Sequence, residues 1–249
     1  MAASSFVLGW DTTILGNVRI VGRPLSSVSV TKGYNKDSVK GQLLQAVTYA
    51  RQMVTETENL VQQSITPVLE RNLGAPGPFG YSTNLSAIVL NAAHTHFKMP
   101  NSLSPANAQA WLDLFKYLKQ LYLLIGQGIR GSFSLVDIPS ADKADTKGSV
   151  STYGATTLLD PTDPGGLEIG KNGRIHINFH WVTTRTAQRV ARTIIHEASH
   201  KFCGTQDHAY KYDHGNYAGL TYQQAIANAD SIACFAYYTW KNGAYSLDN

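Results

Sequence analysis

The stretch that most constrains the fold of this chain is residues 193–210, TIIHEASHKFCGTQDHAY, in which titratable side chains surround one glycine. His196 and His200 are four residues apart, so on a helix both rings project from the same face. Apolar residues precede the pair, and Gly204 can close the helix in the left-handed conformation common at helix ends. The sequence therefore predicts a helix that ends at Gly204 and presents two imidazoles side by side.

This spacing has a chemical meaning, because two imidazoles on successive turns can hold one Zn²⁺ ion. Glu197 lies about 100° round the helix from His196, so it flanks such a metal without being a ligand. A carboxylate there can take the proton of a water that attacks a carbonyl. The alternative is a helix with solvated polar side chains, since a lone His-Glu-x-x-His occurs by chance. The late position in a helix and the following glycine favour a metallohydrolase.

A catalytic zinc also needs a third protein ligand and an open position. Asp207 follows His200 by seven residues, and a reversal at Gly204 can bring it back to the same metal. Tyr210 follows Asp207 by three residues, so its hydroxyl can lie beside the metal and donate to an oxyanion. Three other residues compete for the place of third ligand: His208, Asp213 and His214.

The segments HEASH (196–200) and GTQDHAY (204–210) together resemble the aspzincin, or deuterolysin-type, zinc metallopeptidases. Within that family the resemblance is to the branch of lysine-specific metallo-endopeptidases. It implies one zinc ion per chain and the following roles: His196, His200 and Asp207 as metal ligands, Glu197 as general base, and Tyr210 as transition-state stabiliser. The chain departs from the family at Lys211, where a glycine often follows the motif tyrosine.

Two further segments extend the resemblance. NADSIACFA (228–236) is similar to the Asn-Ala-Asp segment of the family, which implies that Asp230 lies near the S1′ pocket and favours Lys or Arg after the cut bond. The other interpretation of Asp230 is a carboxylate that orients a zinc histidine. IHINFHWV (175–182) lies where such peptidases keep an edge strand, so the substrate is expected to extend along residues 175–181.

The remaining patterns and the resemblance predict an α+β, zincin-like fold, mainly helical, with a small sheet beside the motif helix. Apolar spacing predicts helices from Ser38, from a cap at Ser104, and from a cap at Thr221 to Trp240. Three other segments are predicted as follows: 173–182 as a strand, 138–172 as a long surface loop, and 1–37 as an N-terminal arm or strands of unknown role. Residues 38–249 are expected to form the metallopeptidase domain.

Other histidines are poorer candidates for a metal. His94 and His96 form a His-x-His pair, interpreted as loop or strand residues without a metal. His176 and His180 fall on the predicted strand, where residues four apart are about 13 Å apart and do not share one ion.

The amino-acid composition argues against several classes of protein. Twenty-one Lys and Arg against 17 Asp and Glu give a charge of +4 that is spread along the chain, so no nucleic-acid partner is indicated. No stretch approaches the roughly 20 apolar residues of a membrane helix. Cys203 and Cys234 are expected to be buried thiols, with one disulfide as the alternative.

The predicted function is a zinc-dependent endopeptidase acting on proteins or peptides. The alternatives are a zinc-containing toxin or binding module with weak catalysis, and a zinc amidase acting on cell-wall peptides. The intact Glu197 favours catalysis, because a purely structural site needs no general base. The resemblance favours a secreted or exported protein, such as a toxin or effector, although no classical signal peptide is recognisable; a cytoplasmic protein is the alternative.

Overall fold

The computed structural model of the chain describes residues 10–14, 18–22, 35–72, 85–131, 133–137, 148–150 and 173–243. The chain divides into two compact units: Met1–Arg51 with Gln127–Gly204, and Gln52–Gly126 with Thr205–Asn249. Helices predominate beside one small mixed sheet, which confirms the predicted α+β class.

The sheet belongs to the first unit. Its strands are β1 (Trp10–Ile14), β2 (Val18–Gly22), β3 (Phe133–Asp137), β4 (Gly148–Val150) and β5 (Gly173–Ile177). They lie in the order β1-β2-β3-β5-β4, with β2, β3 and β5 parallel and the two outer strands antiparallel to their neighbours. Apolar side chains of the three parallel strands are fully buried, among them Ile20, Leu135 and Ile175. The N-terminal segment thus supplies two strands, and the predicted domain boundary after residue 37 stays a prediction.

The strand predicted over 173–182 is shorter than expected. β5 ends at Ile177, and Asn178 caps a single helical turn, α4 (Phe179–Val182), by accepting the Trp181 N–H at 3.0 Å. Asp137 at the end of β3 accepts the Phe179 N–H at 3.0 Å and fixes this change of direction. The prediction that His176 and His180 share a strand is therefore wrong, because side-chain capping at Asn178 ends the extended backbone.

The position of β5 corrects a second expectation. β5 pairs with β3 on one side and with β4 on the other, so it is an inner strand of the sheet. The expectation that it is the edge strand that pairs with substrate is wrong, because its backbone groups are used by two neighbours. β4 forms this edge of the described sheet, and it arises within the segment predicted as a loop; residues 138–147 and 151–172 of that segment lie outside the described residues.

The motif helix, α5 (Ala187–Cys203), confirms the prediction made for it. Thr186 caps its first turn by accepting the Arg189 N–H at 3.3 Å. Gly204 ends it with a φ of 67°, and its N–H donates to the His200 carbonyl at 3.0 Å. The helix packs on β4 and β5 and buries Ile194 and Ile195 completely. The sheet therefore lies beside the helix that carries the two histidines.

The other helices are α1 (Lys36–Asn72), α2 (Ala87–Phe97), α3 (Ala108–Arg130), α6 (His214–Ala218), α7 (Tyr222–Ala227) and α8 (Ala229–Trp240). In the second unit α2 packs against α7 and α8. Phe235 of α8 lies with its ring centroid 5.1 Å from that of Phe97 and 6.2 Å from that of Tyr122. The buried Tyr122 hydroxyl donates to the Ile232 carbonyl at 2.7 Å. The polar atom of this tyrosine therefore has a hydrogen-bond partner within the aromatic core.

Two of these helices differ from the sequence prediction, α2 in its type and α3 in its first residue. α2, which contains His94 and His96, was expected to be loop or strand; its apolar sequence AIVLNAA has no polar face that would reveal helical spacing. α3 begins at Ala108 instead of Ser104, because Asn107 accepts the Ser104 N–H at 2.8 Å and forms a separate turn.

The helix predicted from Thr221 to Trp240 is divided in two. Thr221 is the predicted cap, and it forms a capping box with Gln224. Asn228 then adopts φ −90° and ψ 119°, an extended conformation that ends α7 and begins α8. The prediction of one continuous helix is therefore wrong at Asn228, whose side chain has other partners.

Cys203 and Cys234 do not form a disulfide; Cys234 is buried and Cys203 only partly so. The alternative of a disulfide is thereby wrong. Among the described helices, none combines the length and the apolar character needed to cross a membrane.

Gly128 of α3 allows close packing against α5. A Cβ at this position would lie 2.3 Å from two ring atoms of the buried Phe202. We expect Gly128→Ala to destabilise the protein, because overpacking costs about 1–3 kcal/mol and outweighs the roughly 1 kcal/mol gained in helix propensity. Gly41→Ala in α1 is the matched control, since no atom lies within 4 Å of its added Cβ. Urea unfolding of both variants measures the difference; equal stabilisation by both would contradict the packing argument.

Candidate metal centre

The two histidines of α5 face each other. The Nε2 atoms of His196 and His200 are 3.2 Å apart, and the ring planes are inclined at 86°. Two ligands held about 2.0–2.1 Å from a tetrahedral zinc ion are about 3.3–3.4 Å apart. The separation of the ring nitrogens therefore fits a shared zinc ion, and His196, only 7% exposed, offers its nitrogen from a buried position.

Asp207 completes the set of candidate ligands. Within the described part of the chain, one ligand atom each from His196, His200 and Asp207 lies within 4.8 Å of the others. Two imidazoles and a carboxylate are a donor set found at catalytic zinc. The competing candidates His208, Asp213 and His214 are exposed and do not belong to this group. The structure thus brings together the three residues that the resemblance implied.

Glu197 lies against the first histidine. Its side chain is buried, 4% exposed, and its Oε1 is 4.0 Å from the His196 Nε2. Ser199 donates from its hydroxyl to the His196 carbonyl at 2.7 Å, within the same buried turn. The Glu197 carboxylate is therefore close to the candidate metal position, which lies between the Nε2 atoms of His196 and His200.

Tyr210 contacts the candidate ligand Asp207 directly. Its hydroxyl donates to the Asp207 Oδ2 at 2.8 Å. Its ring stacks on that of Tyr212, with centroids 5.2 Å apart and planes inclined by 11°. The phenol is therefore held next to the Asp207 carboxylate.

The loop that carries Asp207 and Tyr210 is attached to the junction of α7 and α8. The Gln206 N–H donates to the Ala227 carbonyl, and the Ala229 N–H donates to the Gln206 carbonyl, both at 2.9 Å. These two bonds form an isolated bridge between Gln206 and Asn228. The residue directly before Asp207 thus has a fixed backbone.

Asp230 also reaches this loop. It is 3% exposed, and its Oδ2 accepts the Lys211 N–H at 2.5 Å and lies 3.6 Å from the Cys234 sulfur. These contacts connect the carboxylate to the residue that follows Tyr210.

Lys211 occupies the position where the family often has glycine. Its ammonium nitrogen lies 5.2 Å from the centroid of the Tyr217 ring, and that of Lys98 lies 5.2 Å from the same centroid. Burial, with a smaller contribution from the charge of Lys211, lowers the pKa of Lys98. The side chain of Lys211 is thus engaged with an aromatic ring next to the loop.

The His-x-His pair of α2 has partners within the protein. The Nδ1 of His94 lies 2.7 Å from the Met99 carbonyl oxygen, and the Nδ1 of His96 lies 2.8 Å from the Tyr217 hydroxyl. His96 is buried and helps to pack α2 in the second unit.

Comparison with known families agrees with this arrangement. Residues 175–237 match the family model described as lysine-specific metallo-endopeptidase, an aspzincin family. For this segment, the match confirms the resemblance to the aspzincins. The segment contains the His-Glu-x-x-His helix, the loop with Asp207 and Tyr210, and the segment with Asp230. Together with the intact motif, this match supports a zinc metalloendopeptidase.

Among solved structures, the chain is similar to a zinc peptidase from Grifola frondosa. The two share 19% sequence identity over 86% of this chain and 100% of the other, with a TM-score of 0.47. No curated protein matches the sequence.

Sequence reasoning missed one residue of this region, Asn228. It is fully buried, and its side chain bonds to the loop before Tyr210. An asparagine in the middle of an apolar helical pattern is a weak sign of such a role, because its side chain competes with the helix for backbone groups.

Proposed function

We propose that this protein holds one Zn²⁺ ion through His196, His200 and Asp207 and hydrolyses peptide bonds with Glu197 and Tyr210 as its catalytic side chains. The observation that carries the proposal is the convergence of three ligand atoms within 4.8 Å beside the buried Glu197. When bound, zinc supplies a Lewis acid and lowers the pKa of a water molecule to about 7.

Glu197 is the proton carrier in this proposal. Its carboxylate accepts a proton from the water as the water oxygen attacks the scissile carbonyl carbon. It then delivers that proton to the nitrogen of the leaving amine, so that the carboxylate is restored for the next cycle. Its burial limits the access of competing water to the carboxylate.

Tyr210 has the role of oxyanion donor. Its hydroxyl bonds to Asp207 at 2.8 Å, so it lies one hydrogen bond away from a candidate ligand. If Asp207 held a metal ion, the Tyr210 phenol would be available to donate to the substrate oxygen on which negative charge develops. The stacking on Tyr212 limits the movement of the ring.

We propose that an extended substrate pairs with β4 and not with β5. β4 is the outer strand at this side of the described sheet, and α5 packs on it. An extended peptide added to an outer strand gains backbone hydrogen bonds, and its alternate side chains enter pockets.

We further propose that cleavage occurs mainly before Lys, and to a lesser extent before Arg, with Asp230 as the acidic partner of the P1′ side chain. The description of the matching family model as lysine-specific supports this specificity. Asp230 is a buried carboxylate on the segment that also holds the Tyr210 loop. A substrate ammonium would compensate such a charge, whereas an apolar side chain would leave it unpaired.

The test is to map the cut sites in a denatured protein mixture. We expect Asp230→Asn to reduce the preference for Lys over apolar P1′ residues on the order of 10²-fold, as for loss of one partner of a buried ion pair. Zinc content should change less than specificity. Asp213→Asn is the matched control, because this exposed carboxylate accepts a hydrogen bond from the Asn216 side chain and lies outside the candidate ligand group. Cut sites without enrichment for basic P1′ residues in the wild type would refute the specificity, and loss of zinc from Asp230→Asn would assign Asp230 to support of the ligands.

A further inference from the structure

Asn228 lies at the junction of α7 and α8, and its side-chain amide makes four hydrogen bonds. Its Oδ1 accepts the His208 N–H at 2.9 Å and the Ala209 N–H at 3.3 Å. Its Nδ2 donates to the Ala209 carbonyl at 2.9 Å and to the Ser231 hydroxyl at 3.0 Å. A primary amide has two donor hydrogens and two acceptor lone pairs, so the capacity of this side chain is used completely. Three of the four bonds go to the backbone of one loop.

That loop carries the two residues whose placement matters most for the proposed function. His208 and Ala209 lie between Asp207 and Tyr210 in the sequence. The bridge of Gln206 fixes the backbone before Asp207, and the bond from Lys211 to Asp230 fixes the backbone after Tyr210. Asn228 bonds to the backbone between these two points, at His208 and Ala209.

We propose that Asn228 is a positioning residue that sets the zinc affinity and the ligand geometry of Asp207. This inference rests on the proposed role of Asp207 as a metal ligand. Asn228 is 0% exposed, so water cannot replace its bonds without a rearrangement of the loop. Residues that orient metal ligands through such bonds affect metal affinity by about 10–100-fold when they are replaced.

The chemistry of the four bonds explains why asparagine is required. An alanine at residue 228 would leave the His208 and Ala209 N–H groups and the Ala209 carbonyl without their buried partner. An aspartate would retain both acceptor contacts, but it would bring a carboxylate oxygen against the Ala209 carbonyl oxygen. Asn228→Ala thus removes all hydrogen bonds from this side chain to the loop, whereas Asn228→Asp removes only those that its Nδ2 donates.

The experiment measures the dissociation constant for Zn²⁺ by competition with a chelator, and the visible absorption spectrum after substitution with Co²⁺. We expect Asn228→Ala to weaken zinc binding by about 10–100-fold and to change the Co²⁺ spectrum, because Asp207 is no longer held at one position. Asn228→Asp should give a smaller change in the same direction. Both quantities unchanged in a folded Asn228→Ala or Asn228→Asp protein would overturn the proposal.

Thr57→Val is the matched control for a general loss of stability. The Thr57 hydroxyl is buried and lies 3.2 Å from that of Thr239, so the variant also removes a buried hydrogen bond of the second unit. Thr239 is eleven residues beyond Asn228, about 16 Å along the axis of α8. We expect Thr57→Val to lower the melting temperature but to leave zinc affinity and the Co²⁺ spectrum unchanged; an equal loss of zinc affinity would overturn a specific role for Asn228.

Amide hydrogen exchange in the wild-type protein without added metal tests the attachment without any variant. The His208 and Ala209 amides should be protected, although the His208 side chain is exposed. Rapid exchange of both amides would refute the attachment even if the variants failed to fold. A wild type that shows this protection but binds no zinc would instead contradict the proposed metal site, so the two failures are distinguishable.

Discussion

Glu197→Gln is expected to retain zinc and to lose peptide hydrolysis by roughly 10²- to 10⁴-fold, the usual contribution of a positioned general base. Gln has nearly the same shape as Glu, so the ring nitrogens of His196 and His200, 3.2 Å apart, should keep their arrangement. The amide cannot accept the proton of the attacking water. The measurement is kcat/KM on a fluorogenic peptide together with the zinc content of the same preparation.

Tyr210→Phe gives a comparison for this result. It removes the hydroxyl that donates to Asp207 but no proton acceptor, and loss of one oxyanion donor costs about 10²- to 10³-fold. Near-normal turnover by Glu197→Gln with full zinc would remove Glu197 from the mechanism. A wild type that binds zinc but cleaves none of a broad set of peptides would favour a binding module, and cleavage restricted to cell-wall peptides would favour an amidase.

Asp207→Ala is expected to lose most of its zinc and, with it, nearly all activity. Only two protein ligands, His196 and His200, would remain, whereas catalytic zinc ions are held by three. Metal analysis after dialysis against a weak chelator measures the loss. Circular dichroism checks that the overall helix content is retained; α5 should persist, since its cap at Thr186 and its end at Gly204 do not involve Asp207.

Asp213→Ala is the control for this prediction, because Asp213 is an exposed carboxylate and was itself a competing candidate. It should retain zinc. Full zinc occupancy in Asp207→Ala would show that Asp207 is not the third ligand, and variants of His208 and His214 would then identify it.

Local signals were sufficient to predict the motif helix. Thr186, the paired histidines and Gly204 each act within one or two turns, so the beginning, the face and the end of α5 follow from neighbouring residues. Asp207 follows His200 by seven residues, so its approach was one possibility that the spacing allowed beside His208, Asp213 and His214; the family resemblance selected it.

Features that depend on distant partners could not be predicted in this way. α2 has apolar residues at exposed or partly exposed positions, such as Ala87 and Ile88, as well as at buried ones, so the helical period is hidden. β5 became an inner strand because β4 arises from a segment with loop-like composition. The break at Asn228 is explained by bonds to residues about twenty positions earlier in the chain, whereas the local sequence from Thr221 favours a continuous helix.

The bridge between Gln206 and Asn228 has a consequence for the entropy of metal uptake. Ordering a flexible backbone costs about 1–2 kcal/mol per residue, and a ligand on a free loop would incur this cost when it binds. The backbone before Asp207 is already ordered by two hydrogen bonds of 2.9 Å within the protein itself. Only the rotation of the Asp207 side chain then remains to be restricted, so most of the conformational entropy of the ligand loop is lost during folding and not during zinc binding.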